Sequence, residues 1–282
     1  MALLYIALFL RIISNPIANA CQKRLSENVS SLTVNFYISA VMAIGSVVPA
    51  FSVDWSGYGG EFWWNVLFAG LFCSLGTICL IKALYFGELS ILGPLNAYKS
   101  VVGLISAFLL LGELPTNVAI GGVCLIVVGS LFLISPRRSE NESKRLWLSI
   151  SLRLLALVFT GCEASILKKI ILMSSVEVSF ILWCFSAFIF GGVFVFLLGR
   201  RFNPPRAYDW VKYLLAAICL GVMQYTTNIV FARMEVGSAL ALFQLSSIIN
   251  LFLGYKIFNE GGMLRKLVGT IVMIIGAVMI LL

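Results

Sequence analysis

Ten apolar runs, each close to 20 residues long and separated by short polar breaks, leave this 282-residue chain few ways to fold. They cover approximately 3–22, 32–52, 63–83, 91–111, 118–135, 147–167, 176–198, 210–232, 239–258 and 266–282. At 1.5 Å of rise per helical residue, a run of about 20 spans the roughly 30 Å hydrocarbon core of a bilayer. Only 11% of residues are charged, 61% are hydrophobic and mean hydropathy is +1.03, whereas soluble domains carry about 25% charged residues. Soluble enzymes, disordered tails and secreted disulfide scaffolds are excluded together. In lipid every backbone polar group must be satisfied within its own helix or a closed barrel, and no strand pattern is present. The expected fold is therefore all-α and integral to the membrane, with ten transmembrane helices.

The first run ends on Ala18-Asn19-Ala20, a small-residue pattern shared with cleaved signal peptides. No positive residue precedes it, and Arg11, Asn15 and Asn19 interrupt it, so it reads as a retained helix. The chain has no His, which removes the commonest general base and metal ligand. Its seven Cys are scattered through apolar stretches without a C-x-x-C pair and read as small buried hydrophobes. No nucleotide loop or nucleophile with a base is seen, so no enzyme, cofactor or metal is expected.

An offset of 147 residues superposes the chain on itself without a gap. Trp63 then meets Trp210, Glu88 meets Glu235, Ser100 meets Ser247, Glu113 meets Glu260, Gly122 meets Gly269 and Gly129 meets Gly276. The repeats are expected over 1–135 and 147–282, joined by a polar linker at 136–146. Five spans per repeat is an odd number, so the second copy enters the membrane from the opposite side. Such inverted repeats give a transporter two near-equivalent packings, each open to one side.

The unit that runs from Ala83 through Gly87-Glu88, Gly93-Pro94 and Asn96-Ala97, followed by Gly112-Glu113 and by Gly122 and Gly129, resembles the repeat of EamA-like proteins in the drug/metabolite transporter superfamily. The second copy, with Glu260, Gly269 and Gly276, is similar, although Ala241 stands where the first has Pro94. The resemblance implies ten helices in two inverted halves, a central cavity lined by the first four helices of each half, and peripheral fifth and tenth helices.

A charge at the centre of a spanning helix costs about 2.5–3.5 kcal/mol on insertion scales, so buried polar residues are candidates for a cavity. Arg11, Asn15 and Asn19 recur at i, i+4 and i+8 on one face, around Pro16. Asn96 and Lys99 follow the break at Gly93-Pro94, and the repeat-related span offers Gln244 and Asn250. Gln224 and Asn228 share a face with Thr227. These nine, Arg11 to Asn250, are the expected substrate-binding residues. Glu163, the one acid well inside a span, is either a proton-coupling group or an interfacial partner of Lys168 and Lys169; Arg153, nearer the linker, is expected to snorkel. The Gly122/Gly129 and Gly269/Gly276 pairs read as helix-packing faces.

Fourteen Lys and Arg fall in the loops on the linker side, against Lys168, Lys169 and Arg233 on the other. The positive-inside rule puts the linker in the cytoplasm of a cell (inner) membrane protein and both termini outside. The family resemblance more usually implies cytoplasmic termini, and we follow the charges. The same distribution accounts for the net charge of +8 without nucleic acid. The expected partners are a small-molecule substrate, the lipid bilayer and a coupling proton, in a monomer or weak dimer. The expected activity is secondary transport of an amino acid or other carboxylate-bearing solute, by export or exchange. The alternatives are proton-coupled export of cationic drugs and a non-transporting membrane subunit.

Overall fold

A computed structural model describes residues 2–111, 116–134, 140–198 and 209–281. The turn at 112–115 with Glu113, and the Asn203-Pro204-Pro205 break, lie outside the described residues. All regular structure among the described residues is helical. The long helices are α1 (Ala2–Ser26), α2 (Ser31–Ala50) and α3 (Gly60–Phe86). The fourth apolar run is divided into α4 (Leu89–Leu92), a 3₁₀ turn (Pro94–Ala97) and α5 (Tyr98–Leu111), and α6 (Asn117–Leu131) follows. The second half holds α7 (Glu140–Met173), α8 (Val176–Leu197), α9 (Trp210–Arg233), α10 (Val236–Phe243), α11 (Ser246–Phe258) and α12 (Met263–Met279).

Helices occur in all ten apolar runs, but not every one reaches membrane-crossing length among the described residues. Among the described residues, seven segments are long and apolar enough to cross a membrane: α1, α2, α3, α7, α8, α9 and α10–α11 taken together. Of the rest, α6 and α12 are short at 15 and 17 residues, and the fourth run is broken. The break has a backbone cause. Pro94 has no N–H to donate, and Asn96 turns its N–H to Gly93 O instead of Leu92 O. The second half breaks at the related place without a proline, where Gln244 N bonds Ala241 O and Ser247 N bonds Gln244 O. Helix α7 also starts earlier than expected, inside the stretch read as linker. Glu140 and Glu142 complement the dipole of its first turn, and Lys144 pairs with Glu140 at 2.8 Å.

The helices pack in exchanged pairs: α1 lies on α9, α7 on α3, α2 on α8, and α6 on α12. Glycines permit the closest approaches. A Cβ on Gly122 would stand 2.5 Å from Gly276 O, and one on Gly276 would stand 2.6 Å from Gly122 O. Gly129 and Gly269 make the same reciprocal contact, at 2.8 and 2.6 Å. The 147-residue offset maps each of these pairs onto the other, so α6 and α12 pack about a local two-fold. Side chains such as Val48, Phe51, Phe196 and Val211 are exposed around the outside, as a lipid-facing surface requires.

Candidate functional site

A central cavity of about 130 Å³ opens between the two halves, with room for several waters or one small solute. Its walls come from α1, α2, α3, the 3₁₀ turn and α5 of the first half and from α7 to α10 of the second. Among the described residues, α6, α11 and α12 contribute none of the lining.

Among the described residues, four charged side chains line it: Arg11, Lys99, Arg153 and Glu163. The Arg11 Nε donates to Thr227 Oγ1 at 2.8 Å, and its guanidinium stacks 4.4 Å from the Phe243 ring centroid. Its Nη1 is buried without a partner. Lys99 is in the field of Glu163, and of Arg11 and Arg153. Glu163 accepts a hydrogen bond from Trp183 Nε1 at 2.7 Å. The alternative ion pairs do not form: Lys168 donates to Met234 O at 2.7 Å and Lys169 pairs with Glu61. Three cations against one acid leave the cavity net positive, and burial strengthens their fields relative to a surface cluster.

Of the residues expected at a binding site, Arg11, Asn15, Asn19, Asn96, Lys99, Gln224 and Glu163 line this cavity. Asn228, Gln244 and Asn250 are not among its lining residues. Asn228 bonds Gln224 and Ser179. Gln244 donates to Asn96 O and Leu240 O, and Asn250 accepts from Asn19 Nδ2. Each spends its amide holding helix to helix, because lipid offers no alternative partner.

Residues 2–135 match the model of the EamA-like transporter family. Over this stretch, just under half of its length, the chain is similar to that family. Its membrane-length apolar helices make the chain a multi-pass membrane protein, and the matched stretch resembles a transporter family. A crystal structure only 12% identical to it shares the fold, with a TM-score of 0.68, and the match covers 97% of this chain and 94% of that one. No curated protein matches it.

Arg153 overturns the expectation that it snorkels. It is 7% exposed, its Nε donates to Leu92 O at 3.1 Å, and its Nη2 donates to Asn96 Oδ1 at 3.2 Å. The carbonyl it caps is the one the Pro94 break leaves without an intrahelical donor. Spacing alone held the signal: Arg153, Thr160, Glu163 and Leu167 recur at i, i+7, i+10 and i+14, one helical face. Gln22 was missed in the same way, since it extends the Arg11, Asn15, Asn19 stripe by three residues.

On the linker side, the EamA-like chain holds buried ion pairs that join the two halves. Glu260 accepts from Lys23 Nζ at 2.7 Å and from the amides of Leu89 and Ser90, both at 2.8 Å. Lys266 pairs with Glu88 and donates to Ser90 Oγ at 2.8 Å. Burial pushes the Glu260 carboxyl up, but the Lys23 charge and the Ser90 donors outweigh it and hold the group below the usual carboxylate range. Lys23 also caps Gly87 O at 2.9 Å, and Lys168 caps the repeat-related Met234 O at 2.7 Å at the opposite end. These two carbonyls close α3 and α9 at equivalent positions.

Proposed function

We propose that this EamA-like chain is a secondary transporter of a small carboxylate-bearing solute, an amino acid or related metabolite. It works by alternating access between two inverted five-helix halves, with ten spans counting the broken and short ones. The observation that carries the substrate class is the cavity charge: Arg11, Lys99 and Arg153 against Glu163 alone. A desolvated guanidinium with an unpartnered Nη1 gains most from a carboxylate, which it can bind in charge-assisted, directional hydrogen bonds. The exchanged packing of α1 on α9 and α7 on α3 supports the inverted-repeat reading, as do the matched carbonyl caps of Lys23 and Lys168. Glu163, beside Lys99, is the proton-coupling group of this reading. In this reading a solute or proton gradient, or exchange, supplies the energy.

The test is uptake and counterflow of a panel of amino acids and organic acids by the purified chain in proteoliposomes, repeated with Arg11→Ala, Lys99→Ala and Glu163→Gln. Loss of anionic-substrate binding in the first two, by on the order of tenfold or more each, is the expected result. Glu163→Gln is expected to retain exchange while losing its pH dependence. Full carboxylate transport in both cation variants, with cation efflux lost only in Glu163→Gln, overturns the proposal in favour of cationic-drug export. Neither flux nor ligand-induced thermal stabilisation across the panel points to a non-transporting subunit.

A further inference from the structure

Two amide side chains in the cavity wall take no part in the charge argument above. Gln22 of α1 is 1% exposed, and both its Nε2 and Oε1 are buried without a hydrogen-bond partner. Asn35 of α2 is 3% exposed, and its Nδ2 is also unpartnered. Both residues line the same cavity as Arg11 and Lys99. Buried polar groups are bonded in the great majority of cases because an unmet donor or acceptor bears its full desolvation penalty. Three unmet amide atoms on one cavity therefore point to something that enters it.

Their surroundings define what that is. Nearby Ala18, Leu25, Val34 and Ile38 belong to one apolar cluster, and Ser39 directs its hydroxyl to Asn35 O at 2.7 Å. Gly191 leaves the room that the Asn35 amide uses, since a Cβ there would lie 3.2 Å from Nδ2. Neither amide carries a charge, so neither selects a carboxylate or an ammonium. Gln22 presents an acceptor and donors in one plane, and Asn35 adds a donor. A carboxamide is complementary: its N–H meets Gln22 Oε1 and its carbonyl oxygen accepts from Gln22 Nε2 and Asn35 Nδ2. A hydroxyl satisfies the same set with one bond fewer. Gln22 is eleven residues from Arg11 on the same helical stripe, about 16 Å along the axis, so the two act on different parts of a solute or at different steps of its passage.

We propose that Gln22 and Asn35 form a neutral subsite that selects solutes bearing an uncharged hydrogen-bonding tail, a carboxamide or hydroxyl, in addition to the carboxylate held by the basic groups. The inference rests on the carboxylate reading given under Proposed function.

L-Glutamine and L-norleucine share a head group and nearly a length, and differ in having an amide or an apolar tail. Thermal stabilisation and proteoliposome uptake are measured with both, on the wild type, Gln22→Met and Asn35→Leu. The wild type is expected to prefer glutamine by at least about tenfold, because norleucine leaves the buried amides unmet. Each variant is expected to lose that preference while holding norleucine within about twofold of wild type. Without solute, both variants are expected to melt at or above the wild-type temperature, since each replaces an unmet amide with an apolar group of similar size. Equal affinity of the wild type for the two probes overturns the subsite but leaves the carboxylate reading standing. A preference for glutamine retained in both variants, or a lower melting temperature of both without solute, also overturns it. Binding of neither probe also overturns the subsite, while the carboxylate reading falls only if the whole panel of amino acids and organic acids fails.

Discussion

Removing the Glu260 carboxylate tests how firmly the linker side is held. Its two oxygens take up one ammonium and two backbone amides, and the residue is 8% exposed. Each hydrogen bond to a charged group is worth about 1.5–3 kcal/mol, and breaking a buried pair from one side costs about 3–5 kcal/mol. The contributions overlap on one carboxylate, and Lys23 keeps Gly87 O as an acceptor, so the lower end, about 3 kcal/mol, is expected for Glu260→Ala. At roughly 2–4 °C per kcal/mol for a chain of this size, melting in detergent at pH 7 falls by about 6–12 °C. The pH dependence follows from the sign of the shift. The folded carboxyl lies below its ordinary value of 4.5, so its contribution is complete above that value and is lost as pH falls through the lower, folded one. Wild type and variant are therefore expected to differ by a constant amount from pH 7 down to about 5 and to converge only below about 4. Lys256→Ala, at an exposed position on α11, is the control. A drop of less than 1 °C at pH 7, or a difference that vanishes between pH 7 and 6, refutes the reasoning.

Two further outcomes follow from packing and charge. Gly129→Ala sets a Cβ 2.8 Å from Gly269 O, a backbone atom that cannot rotate away, and should destabilise by about 1–3 kcal/mol; Gly45→Ala, with nothing within 4 Å, should be neutral or slightly stabilising, and denaturant titration compares the two. Reporter fusions placed after Leu282 are expected to be active only for the reporter that works outside the cytoplasm, and activity of the cytoplasmic one there would reverse the orientation drawn from the loop charges.

The all-helical membrane fold was legible because lipid imposes one rule on every span: about 20 apolar residues with the backbone satisfied internally. The family resemblance was likewise local, carried by contiguous residues around Gly87-Glu88 and Gly93-Pro94. Glycine spacing marked α6 and α12 as close-packing faces, since a Cβ at Gly122 would stand only 2.5 Å from Gly276 O. Periodicity also brought Arg11, Asn15 and Asn19 to one wall, because neighbours at i+4 share a face whatever the rest of the chain does.

Which polar residues face the cavity, and which bind helix to helix, was decided only by the tertiary packing. Asn19 and Asn250 are alike in sequence context, but Asn19 lines the cavity while Asn250 packs against Gly93 and accepts from Asn19. Arg153 looked like a residue that reaches for water, yet the carbonyl freed at Leu92, 61 residues away in sequence, holds it inward. Glu163 had Lys168 and Lys169 a turn away, but those lysines point to Met234 O and Glu61 instead. A helical pattern fixes the angle of a side chain about its own axis. It carries no information about which neighbour occupies that direction, and in a membrane the neighbour decides whether a polar group is a site, a brace or a lipid-facing liability.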